Sequence, residues 1–210
     1  MRALALLTSL LLPVAAGAEP SLSLRLGWAQ SFGSAAEGMP MSDLAGAQVP
    51  VQADALWRFG RPGAGEARGL AAGAYASWGP GLVVRCDPGA SCSAWSLRLG
   101  LQATWTFHPS FSSFDAWAGA GWGWEWTKRR RAYGGNEVAW TYGGMEVVSL
   151  QGGADVLRRG RATFGPFLLV AIGRYSTLGL DTPVETGDGE IAGKRIHSWA
   201  EVGVRAKFDL

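Results

Sequence analysis

Eight ionisable residues, Arg25, Asp54, Arg58, Arg98, Glu125, Asp155, Glu201 and Arg205, each stand between two apolar neighbours. In extended chain successive side chains point to opposite faces, so each charge faces one way and its neighbours the other. Gln52, Gln102, Gln151 and His197 fall on the same polar parity. Gathered in one place, such a set can act as a conduction path or supply a carboxylate pair for acid–base catalysis. It can equally form a mutually satisfied plug of ion pairs and hydrogen bonds. Three other groups carry possible chemistry. Cys86 and Cys92 bracket Asp87, Pro88 and Gly89, a turn signal that brings the thiols together and predicts a disulfide. Closing so short a loop is worth about 2 kcal/mol in the chain-entropy model. Lys128, Arg129, Arg130 and Arg131 form a basic run that either binds phosphates or starts a solvated loop. His108 and Ser110 stand two apart, but Pro109 between them favours turn chemistry. With two His and two Cys in the whole chain, no zinc-ligand spacing or haem site is visible, and no cofactor is expected.

The elements that must position these groups read as strands. Over residues 95–107 one parity is Trp95, Leu97, Leu99, Leu101, Ala103, Trp105 and Phe107. The other is Ser96, Arg98, Gly100, Gln102, Thr104 and Thr106, which is strand period and not helix period. The apolar face carries aromatics at both ends and aliphatics between, as a lipid-facing strand does at two membrane interfaces. Its length, at about 3.3 Å per residue and a tilt of about 40°, covers roughly 30 Å of membrane normal. Similar alternation predicts strands at 21–29, 49–59, 67–78, 114–126 and 196–210, and 164–176 reads as a further strand in which neither face is polar. The sixth strand, 140–156, is irregular because Val147 and Val148 are adjacent. Its apolar face is taken as Trp140, Tyr142, Val148, Leu150, Ala154 and Val156, with a bulge near Gly143 and Gly144. Backbone groups in hydrocarbon must pair internally, so the eight strands are expected to close. The fold class is therefore all-β, an eight-stranded antiparallel transmembrane barrel in up-and-down order.

Composition agrees with that reading. There are 31 Gly and 11 Trp, and charged residues make up only 17% of the chain, against about 25% in soluble domains. A net charge of +2 gives no ground for a nucleic-acid partner. Arg2, the apolar stretch 3–14 and Ala16-Gly17-Ala18 read as a secretory signal peptide over 1–18, which leaves 19–210 as the barrel domain. Connections after the first, third, fifth and seventh strands are the longer ones, so these are expected to be external loops and the others periplasmic turns. The basic run then opens an external loop.

These features resemble the small eight-stranded outer-membrane barrels, the OmpA/OmpX/OmpW-like group: the leader, the aromatic-ended strands, the loop alternation, and a last strand closing on Phe208 and Leu210. The resemblance implies a Gram-negative envelope protein of the outer membrane, and a C-terminal strand read by the barrel-assembly machinery during biogenesis. It implies contact with outer-membrane lipid, with lipopolysaccharide a partner for the basic run. Eight strands leave an interior just wide enough for side chains, so the charged set is expected to be a plug rather than an open, porin-like pore. His108 and Ser110 match outer-membrane lipid A deacylases only as an H-x-S, at the wrong end of a strand. No known small-molecule substrate is implied, and the chain is expected not to be an enzyme. The function so read is structural, with external loops as the interaction surface and a narrow passive pore as an extension of it. Two alternatives stay open: a lipid-modifying barrel enzyme, and a soluble lipocalin-like ligand-binding barrel, loosely suggested by Gly27-Trp28.

Overall fold

The computed structural model describes residues 18–59, 69–83, 85–107, 114–183 and 186–210. Residues 1–17, which fall in the stretch expected to be a leader, and His108 and Ser110 lie outside the described residues. Eight long strands form the wall: β1 (Ala18–Ala36), β2 (Val51–Phe59), β3 (Gly69–Val83), β4 (Ser91–Phe107), β5 (Asp115–Tyr133), β6 (Asn136–Asp155), β7 (Ala162–Asp181) and β8 (His197–Asp209). Each pairs antiparallel with its sequence neighbours, and β1 pairs with β8, so the sheet closes on itself. Closure leaves no free edge, which is what a chain crossing hydrocarbon requires. No described helix is long and apolar enough to cross a membrane. The spanning elements are the strands.

The alternation sorts the wall into two faces. Leu22, Leu24, Leu26, Leu101, Leu168, Val170, Val202 and Val204 are exposed on the outside. Trp57, Trp105 and Phe208 border this belt at the end carrying Ala18 and Leu210, the near end; Trp28, Phe32 and Trp78 border it at the far end. Soluble monomers do not expose a contiguous apolar band of this kind, which rules against the lipocalin-like alternative. Inside, Ser23, Arg25, Asp54, Arg98, Gln102 and Glu201 are buried.

Three sequence expectations need correcting. The first concerns β6, where register shifts make Val147 an extra residue against both β5 and β7. A bulge inverts parity beyond it, so Glu146 and Tyr142 turn inward while Met145 and Val147 face out. Tyr142 and Trp140 are therefore not lipid-facing; Tyr142 is buried and Trp140 packs against the interior cluster. Near Gly143 and Gly144 the extra residue is Ser176, on the facing strand β7. The second concerns the basic run, which belongs to β5 and pairs with β4 and β6 instead of opening a loop. The chain reverses at Gly134 and Gly135, with φ +59° and +84°, the backbone that a tight two-residue hairpin needs. The connection after the fifth strand is thus short. Length appears as strand: β5, β6 and β7 have 19, 20 and 20 residues, roughly twice the 9–11 that cross a membrane. Third, β1 runs well past residue 29 and is followed by a short helix, α1 (Met41–Ala45), where only an irregular loop is expected.

Candidate functional site

The barrel interior brings together the polar parities of all eight strands. At the near rim Arg58 lies 3.2 Å from Asp209 and 3.7 Å from Glu19, and Lys207 lies 3.0 Å from Asp209. Arg58 is partly exposed there and stands apart from the buried set. Above it Arg205 reaches both Asp155 oxygens at 2.7 and 2.8 Å, with its guanidinium 3.7 Å from the centre of the Trp117 ring. Arg25 pairs with Asp54 at 2.8 Å and donates to Gln151, which donates to Gln102 at 2.7 Å. Ser23 and Gln52 also donate to Asp54.

The middle layer turns on Arg98, 3.0 Å from Glu201 and 3.6 Å from Glu146. Tyr75 donates to Glu146 at 2.7 Å. Its ring crosses the lumen over Gly100 and Gly123, where a Cβ would stand 2.7 and 2.8 Å from the phenol oxygen. Those two glycines make the space that brings Tyr75 to Glu146. Higher still, Glu125 accepts from Tyr175 at 2.5 Å, Trp199 at 2.9 Å and Thr127 at 3.3 Å, and lies 3.1 Å from His197 Nε2. The His197 ring stacks on Tyr175 at 4.2 Å between centroids.

Beyond Glu125 the filling changes to hydrocarbon. α1 tucks Met41 and Leu44 into the far mouth, where both are fully buried in a cluster with Tyr142, Tyr175, Ile191 and Trp199. Ser31 donates to the Ala45 carbonyl at 2.6 Å and Gln30 to that of Gly46 at 3.0 Å, which fixes the segment to β1. Gln48 accepts from Ser96 of β4 at 2.6 Å.

Seven of the eight charges singled out from the sequence are therefore buried together in the lumen, in successive layers of ion pairs and hydrogen bonds. Glu146 is the member that sequence parity missed, and the Val147-Val148 doublet was its signal, since two adjacent β-branched apolar residues mark where parity slips. Among the described residues five buried carboxylates, Asp54, Glu125, Glu146, Asp155 and Glu201, share three buried guanidiniums and His197. The surplus is met by neutral donors: Tyr75, Tyr175, Thr127 and Trp199. Charge-to-neutral hydrogen bonds of this kind hold a buried carboxylate without a second cation. Among the described residues no group of three His, Cys, Asp or Glu is placed to hold a metal ion.

Outside the lumen, Cys86 and Cys92 are disulfide-bonded, with Cα atoms 5.8 Å apart. The basic run splits by parity. Arg129 donates to the Arg85 carbonyl at 2.7 Å and Arg131 pairs with Asp87 at 2.6 Å, so both serve the disulfide loop. Lys128 and Arg130 sit on the opposite face of β5, above Trp126.

The structure compares with solved ones as follows. Neisserial surface protein A (NspA) matches with a TM-score of 0.53 at 11% identity, over 92% of this chain and 99% of that one. A major outer membrane protein from Thermus thermophilus matches at 0.57 and 10% identity, over 90% and 99%. The chain folds as an outer-membrane β-barrel. No protein-family model and no curated protein matches the sequence. The outer membrane protease OmpT from Escherichia coli also aligns, with a TM-score of 0.48 and 8% identity over 92% and 94% of the two chains. The expectation that the chain is not an enzyme is withdrawn, because a barrel fold by itself neither assigns nor excludes an activity.

Proposed function

We propose that this protein is a structural outer-membrane barrel with a closed lumen, whose far end stands outside the cell and forms its interaction surface. The observation that carries the reading is the double filling of the interior, a buried ion-pair network below and the α1 plug with Met41 and Leu44 above. Ion conduction needs a hydrated path, and both layers occupy it with side chains whose polar groups bond to one another. Export by the leader at 1–18 and insertion by the barrel-assembly machinery belong to the same proposal. The strands of β5 to β7 that outrun the membrane, braced by the Cys86–Cys92 loop, supply the external surface. Two measurements on the purified full-length barrel test this. Electrophoretic mobility before and after boiling is expected to differ, as for a closed barrel that resists detergent. Planar bilayers containing the protein are expected to stay silent, and steady single-channel steps from the unaltered protein would replace the closed reading with a pore.

A further inference from the structure

Above the apolar belt, register lines up two rungs across four strands on the outer face of the wall. One rung runs Lys128, Thr141, Gly179, Asp188, from β5 across β6 and β7 to the short strand Thr186–Glu190. The rung below runs Trp126, Gly143, Thr177, Glu190. Strands about 4.8 Å apart place the two outer rows about 14 Å from one another. The result is a cleft with a Trp126 and Lys128 wall, an Asp188 and Glu190 wall, and a floor of Gly143, Gly179 and two threonines. Two overlapping hollows of about 630 and 440 Å³ fill it, sharing Thr141, Gly179 and Asp188. The glycines keep the floor low. A Cβ on Gly179 would stand 2.8 Å from Asp188 Oδ1, and one on Gly143 would stand 2.7 Å from Thr177 Oγ1 and 3.7 Å from the Trp126 indole nitrogen. Among the described residues neither Lys128 nor Asp188 has an ion-pair or hydrogen-bond partner.

Resting on the outer-membrane placement above, we propose that this cleft binds the phosphorylated sugar headgroup of an outer-leaflet glycolipid. Each wall has its counterpart in such a ligand. An indole presents an apolar face with a polar edge, suited to the C–H face of a sugar ring. Carboxylates accept from ring hydroxyls, and threonine hydroxyls both accept from and donate to them. An unpaired ammonium is a point charge for a phosphate. Position selects a lipid-borne sugar over a free one. One rung below Trp126 lie Trp124, Met145 and the exposed Arg174, and beneath Arg174 on β7 run Ile172, Val170 and Leu168. A headgroup seated in the cleft therefore has its acyl chains against the belt, and Arg174 at the boundary where a second phosphate would lie.

The test is native mass spectrometry of the full barrel in detergent, titrated with diphosphorylated lipid A. Phosphatidylglycerol and glucosamine 1-phosphate serve as separate probes. Lipid A is expected to bind in one copy, with Lys128→Ala and Gly179→Leu each weakening it about tenfold, equivalent to about 1.4 kcal/mol. Arg131→Ala, a cation of the same run on the other face, is expected to change nothing. Equal affinity for phosphatidylglycerol would reduce the site to charge attraction and overturn the proposal. So would equal affinity for glucosamine 1-phosphate, or unchanged binding in Lys128→Ala. Each variant is first checked for the boiling-dependent mobility shift, and should Gly179→Leu fail to fold, Lys128→Ala decides alone. Absence of that shift in the unaltered protein would instead be a failure of the membrane-barrel reading itself.

Discussion

Toward the near end the lumen is filled by charge, with Arg25, Arg98 and Arg205 threaded among Asp54, Glu146, Asp155 and Glu201. Toward the far end it is filled by Met41, Leu44, Ile191 and the rings of Tyr142, Tyr175 and Trp199. The two regions close the same narrow space with different consequences. In the charged layer every buried Arg–carboxylate pair joins two different strands, so the pairs cross-link the wall, and removal of one member strands a charge in a low-dielectric interior. In the apolar plug Met41 and Leu44 are supplied by one segment between β1 and β2, held by carbonyl hydrogen bonds and hydrocarbon contact. Loosening that segment leaves no charge behind. The barrel's stability is thus concentrated in the first region and its closure in the second.

That contrast can be broken at either end. Arg98→Ala leaves Glu146 and Glu201 facing one another and is expected to have the largest effect, a loss of about 3–5 kcal/mol. The shift of the urea midpoint, read from the unboiled gel band, measures it. A small shift would show that the charged layer is not what holds the wall. Next is Leu44→Ala, expected to cost about 2–3 kcal/mol through lost burial and the cavity it leaves. Here the folded band should persist while bilayers acquire brief conductance steps. If stability collapses without any conductance, the plug rather than the ion pairs is the structural element. Smallest is Cys86→Ser with Cys92→Ser, which releases at most about 2 kcal/mol of loop constraint. Because that loop lies on the extension beyond the belt, the expected sign is faster proteolysis near residues 85–92 with little change in the urea midpoint.

Much of this arrangement was legible because the strand period is local. Arg98 points inward because Leu97 and Leu99 point outward, and the same holds for Arg25, Asp54 and Glu201. The disulfide was legible from a turn between two cysteines. Other features were not. The basic run looked like a loop because four cations in a row are usually solvated, yet pairing with β4 and β6 carries β5 through them. Its split into Arg129 and Arg131 on one face and Lys128 and Arg130 on the other follows only from that pairing.

By itself the sequence determined that the chain forms strands, which face of each is apolar, and that enough of them exist to close a narrow barrel, since all three depend on residues within a few positions of one another. Tertiary structure alone decided that Val147 bulges and turns Glu146 toward Arg98, because a bulge is set by the register of both neighbouring strands. It alone decided that α1 folds into the mouth, and that Lys128 and Asp188, sixty residues apart in sequence, end one rung. The physical reason is the same in each case: side-chain direction is a property of the local backbone, whereas partners are chosen by hydrogen-bond registers that join distant parts of the chain.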